Sequence, residues 1–91
     1  MAKFLLITYD LKRPGQDYSG LYEEIKNSGE WYHPLESTWV IRVSNYTDPT
    51  QLYARLRPKI DDNDFIFIVD ITEKDYYGWL PKNFWAWFKK R

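Results

Sequence analysis

KFLLITYD, Lys3 to Asp10, is an apolar run that ends on a carboxylate. Lys3 to Tyr9 are mostly apolar and β-forming, and the loop Lys12-Arg13-Pro14-Gly15 follows, so the stretch reads as a first strand and a turn. Both sides of this strand are apolar: Phe4 and Leu6 point one way, Leu5 and Ile7 the other. The run Phe65 to Ile71 (FIFIVDI) behaves alike, with Phe65 and Phe67 opposed to Ile66 and Ile68. A monomer rarely leaves a second apolar face to water. The expected cover is the Trp-rich tail, a second copy of the chain, or both.

Between these strands lie the signals for the remaining elements. Tyr18, Leu21, Tyr22 and Ile25 recur at helical spacing, with Asp17 or Ser19 as cap and Gly29 as stop. Trp31 to Leu35 reads as a weak strand whose Pro34 suits an edge, and Thr38 to Val43 as a strong one. Asp48-Pro49-Thr50-Gln51 is a helix start: cap, first-turn proline and a capping-box glutamine. Leu52, Leu56 and Ile60 continue that helix, which Pro58 ends early. Asp61-Asp62-Asn63 turns the chain into the fourth strand. Leu80, Phe84, Trp87 and Phe88 follow at helical spacing around Pro81, which predicts a short C-terminal helix.

The order βαββαβ predicts an α+β, ferredoxin-like chain. Its antiparallel sheet would run 4-1-3-2, with two helices on one face and a short Trp-rich C-terminal helix added. Its 91 residues suit a single domain, with 76–91 as an aromatic C-terminal extension. Aromatic residues make up 20% of the chain, too many for a disordered tail. Thirteen basic and thirteen acidic residues cancel, so any nucleic-acid contact must come from a local patch. The absence of cysteine excludes disulfides and thiolate metal sites. No segment reads as a signal sequence or a membrane span, so the expected location is cytoplasmic and no membrane partner is expected.

The predicted topology brings the end of strand one and the starts of strands three and four to one rim of the sheet. Asp10, Ser37 and Asp64 gather there, near Glu36, Asp61, Asp62 and the Lys12-Arg13 loop. Two cations beside a helix N-terminus suit a phosphate, and nearby carboxylates suit a hard divalent metal such as Mg²⁺. Together they would support metal-assisted phosphodiester cleavage. The bland readings are a strand-closing Asp10, ordinary loop charges at Lys12 and Arg13, and a solvated turn at Asp61, Asp62 and Asp64. His33 stands alone, which favours a structural or exposed role over zinc. Lys3, Arg42 and Asp70 fall at the opposite rim, where cross-strand ion pairing is expected. Tyr77, Trp79, Trp85 and Trp87 ahead of Lys89-Lys90-Arg91 read as core or dimer packing before they read as base-stacking rings.

Tyr9-Asp10 at the end of the first strand, Ser37-Thr38-Trp39 at the opening of the third, and the order of elements from Lys3 to Ile71 resemble the CRISPR-associated protein 2 family. The related virulence-associated protein D toxins share that fold. The resemblance implies a ferredoxin-like homodimer in which two copies of Asp10 face each other across the two-fold axis and bind a divalent metal. It also implies metal-dependent RNA or DNA cleavage, or a non-catalytic role in scaffolding DNA. Asp10 would then be the catalytic residue and metal ligand, with Lys12, Arg13 and Ser37 at the nucleic acid. The family's usual last strand is replaced here by Tyr76-Tyr77-Gly78-Trp79-Leu80-Pro81 and a predicted helix. Two alternatives stay open: a protein-interaction module working through the Trp-rich tail, and a family-like binder of nucleic acid without turnover.

Overall fold

The computed structural model describes residues 2–12, 15 and 17–89. Among these residues four strands, β1 (Ala2–Asp10), β2 (Glu30–Leu35), β3 (Thr38–Ser44) and β4 (Phe65–Asp70), form one antiparallel sheet in the order β2-β3-β1-β4. Among the described residues three helices accompany it: α1 (Ser19–Asn27), α2 (Pro49–Leu56) and α3 (Lys82–Phe88). A 3-10 turn at Arg57–Lys59 follows α2, because Pro58 cannot continue the α-helical ladder.

Local chemistry explains the boundaries. The Asp48 carboxylate accepts from the Gln51 N–H at 2.8 Å, and the Gln51 side chain accepts from the Asp48 N–H at 3.0 Å. This is the reciprocal capping box expected from the sequence. At α1 the cap position falls on Tyr18, which offers no side-chain cap, rather than on the expected Asp17 or Ser19. Asp17, one residue earlier, turns the chain into the helix, its Oδ1 accepting from the Ser19 N–H at 2.8 Å. Ser28 closes the same helix, its hydroxyl donating to the Glu24 carbonyl at 2.7 Å. Gly29 then passes so close to β3 that a Cβ there would sit 2.2 Å from the Arg42 carbonyl oxygen. Pro34 lies where the β2–β3 register shifts, on an edge strand that tolerates a missing N–H.

Strand alternation sends Leu5, Ile7 and Tyr9 of β1 and Trp39, Ile41 and Val43 of β3 to one face. There they bury against Leu21 and Ile25 of α1 and Leu52 and Leu56 of α2. The opposite face carries Phe4 and Val40, and α3 lies on it with Phe84 and Phe88 buried. The Phe4 ring meets Phe88 edge-on at 5.3 Å and Trp87 at 5.4 Å, favourable geometry for aromatic pairs. The tail therefore covers this part of the second face within the same chain. Cover stops short of β4, where Phe65 and Phe67 remain 65% and 63% exposed.

The turn after β4 swings the chain towards that second face. The Ile71 N–H donates to the Phe4 carbonyl at 2.9 Å, and the Thr72 hydroxyl oxygen accepts from the Phe4 N–H at 2.9 Å. Glu73 takes φ 54°, a left-handed conformation that costs a non-glycine residue about 1 kcal/mol. Among the described residues, no helix is long and apolar enough to cross a membrane.

Candidate functional site

The expected rim forms. Asp10 lies opposite Phe65 in the β1–β4 ladder, and the Tyr9 N–H donates to the Ser37 carbonyl at 3.1 Å on the β3 side. Thr8 and Thr38 face each other with their hydroxyl oxygens 3.1 Å apart. The end of β1 is thus flanked by the starts of both neighbours.

Asp10 is exposed and forms an ion pair with Lys12, 2.6 Å between Oδ2 and Nζ. The Lys12 ammonium also lies 5.9 Å from the centre of the Phe65 ring. The loop carrying Lys12 is anchored by its backbone: its N–H donates to Asp64 Oδ1 at 2.7 Å. Arg13 lies outside the described residues. Ser37 takes part in the rim through its carbonyl, and its side chain is exposed.

Asp64 departs from the reading of a solvated turn. It is only 6% exposed and accepts from the Lys12 N–H, from the Tyr18 hydroxyl at 2.9 Å and from the Asp61 N–H at 2.8 Å. A buried carboxylate needs this number of donors to remain folded in. Asp64 is therefore a clamp joining the loop after β1, the entry to α1 and the turn before β4. Asp62 stays at the surface, paired with Arg57 at 2.5 Å. The N-terminus of α1 is also less open to an anion than expected, since Asp17 already accepts from the Ser19 N–H there.

Asp10, Lys12, Phe65 and Phe67 meet at one open corner of the sheet. A shallow depression of about 250 Å³ lies there, lined by Thr8, Tyr9, Asp10 and the Phe65-to-Phe67 stretch. Among the described residues, no group of three or more His, Asp or Glu side chains is arranged to hold a metal. Within one chain the candidate metal ligand is Asp10 itself, already neutralised by Lys12. Behind the rim the Trp39 indole N–H donates to the Tyr9 hydroxyl oxygen at 2.9 Å. Burial pushes the Tyr9 phenol up to about 12. His33 stacks on Trp39 with ring centres 3.9 Å apart, and its Nε2 donates to the Glu36 carbonyl at 2.9 Å. That is a structural role.

The opposite rim corrects the expected three-way ion pairing. Arg42 pairs with Glu30 at 3.3 Å, on the α3 side of the sheet. Asp70 lies opposite Leu5 and so on the other side. Its carboxylate is held below the usual range chiefly by the Thr72 hydrogen bond, and to a smaller extent by Lys3 and Lys74. Alternation along the strands keeps Arg42 from joining them.

Rim and sheet together define an α+β chain with an exposed carboxylate–cation corner beside uncovered aromatic rings. Compared with protein-family models and with curated proteins, the chain matches none.

Proposed function

We propose that the protein is a ferredoxin-like, homodimeric nucleic-acid-binding protein similar to the CRISPR-associated protein 2 family, and a divalent-metal-dependent nuclease in its dimeric form. The observation that carries this reading is the corner itself. Phe65 and Phe67 leave an apolar patch beside Asp10, and a second copy is the natural cover for it. One exposed carboxylate paired with Lys12 is a poor site for Mg²⁺, which prefers several oxygen ligands. Two Asp10 carboxylates meeting across a two-fold axis would supply charge enough to draw the ion, leaving Lys12 to turn towards phosphate. Ser37 lies on the same rim, and Arg13, next to Lys12 in the sequence, is assigned to the nucleic acid with it.

The test is hydrolysis of labelled RNA and DNA with Mg²⁺ or Mn²⁺, comparing the native chain with Asp10→Ala. Cleavage reduced at least a hundredfold in the variant supports the reading. Equal cleavage by both removes Asp10 from the chemistry. Salt-dependent binding without any cleavage points to the non-catalytic form of the same function.

A further inference from the structure

The aromatic tail divides into two populations. Phe84 and Phe88 are buried against the sheet, whereas Tyr77 and Trp79 are 103% and 99% exposed. Beside the exposed pair, Tyr76 stacks on Trp85 with ring centres 5.7 Å apart and planes at 20°. Tyr76, Tyr77, Gly78, Trp85 and Lys89 line a cavity of about 220 Å³. Gly78 has open space where a side chain would stand, so a flat group can approach the backbone between the two outward rings.

From these features we infer that the tail binds single-stranded nucleic acid, stacking bases on Tyr77 and Trp79 and in the slot beside Trp85. The inference rests on the nucleic-acid reading above but places a second contact away from the Asp10 rim. Charge selects this occupant. Residues 71–91 carry Lys74, Lys82, Lys89, Lys90 and Arg91 against Glu73 and Asp75, whereas the rest of the chain holds more acids than bases. The rings thus belong to a net-basic stretch of sequence in a neutral chain. A second copy docking here about a two-fold axis would set basic stretch against basic stretch, which is unfavourable. A polyanion meets the opposite field. Stacking needs an open base face, which a single strand offers and a duplex hides.

The test is fluorescence anisotropy with labelled twelve-residue oligouridylate, oligothymidylate and a hairpin duplex. The native chain is compared with Trp79→Ala, Trp79→Phe, Tyr77→Ala and Lys12→Ala, and the two single strands separate RNA from DNA as the source. The expected result is preference for a single strand, lost about 5- to 100-fold in Trp79→Ala and Tyr77→Ala and less in Trp79→Phe. Unchanged affinity in both alanine variants overturns the inference. Loss confined to Lys12→Ala overturns it too, while leaving the rim reading intact. No binding by the native chain at low salt sinks both readings. Sedimentation showing that Trp79→Ala converts a dimer to a monomer makes the ring a subunit contact, and also overturns the inference.

Discussion

Replacing Asp64 by alanine should cost more than any other change at the rim. The carboxylate takes the Lys12 N–H at 2.7 Å, the Asp61 N–H at 2.8 Å and the Tyr18 hydroxyl at 2.9 Å. Hydrogen bonds to a charged acceptor are each worth about 1.5–3 kcal/mol, and the terms do not add fully because one side chain makes all of them. The ionised group also gives back part of its desolvation cost when removed. A net loss of about 3 kcal/mol results, a large share of the 5–15 kcal/mol typical of a small chain. Asp64→Asn should fall between, because its amide keeps one acceptor oxygen but loses the charge. Tyr18→Phe should cost about 1 kcal/mol, and the double variant should show coupling rather than simple addition. Urea denaturation followed by tryptophan fluorescence reads all three as shifts in midpoint at constant slope. A loss below about 0.5 kcal/mol for Asp64→Ala would refute the clamp, since that is the level of an exposed turn residue.

Other perturbations separate buried from exposed chemistry. Phe88→Ala should lose about 3–5 kcal/mol by thermal or urea unfolding, whereas Trp79→Ala should stay within about 0.5 kcal/mol. Gly29→Ala should lose about 1–3 kcal/mol, because the new methyl meets the Arg42 backbone rather than a movable side chain. The Tyr9 phenol is raised to about 12, so its contribution to stability is complete below about pH 10 and declines towards pH 12 as only the unfolded chain ionises. Unfolding curves across that interval should decline less steeply for Tyr9→Phe. A native and variant chain with parallel pH profiles would contradict the assignment.

Patterns confined to one stretch of chain were legible without coordinates. The capping box at Asp48 to Gln51, the early stop at Pro58 and the helical spacing of Phe84 and Phe88 all depend on neighbours a few residues away. The two-sided strands also announced that the second face needed cover, and α3 supplies much of it. What stayed hidden depends on distant partners. Nothing in Asp61-Asp62-Asn63-Asp64 marks the last aspartate as the buried one, because its burial comes from Tyr18, 46 residues earlier. Arg42 and Asp70 looked like partners because both interrupt apolar strands. Only the register against Phe4 and Leu5 puts them on opposite faces. Tyr77 and Trp79 resembled their buried neighbours in composition, and it took the placement of α3 to show that its apolar face is filled without them.

The functional proposal turns on whether two Asp10 side chains meet. The chain has no cysteine, so Asp10→Cys provides one unique thiol, and Tyr46→Cys a control at an exposed site. Treated with a short bifunctional thiol reagent at low protein concentration, Asp10→Cys should become a covalent dimer while Tyr46→Cys remains a monomer. Equal cross-linking of both variants, or none at position 10, would mean that the carboxylates do not converge, and the paired metal site would have to be abandoned.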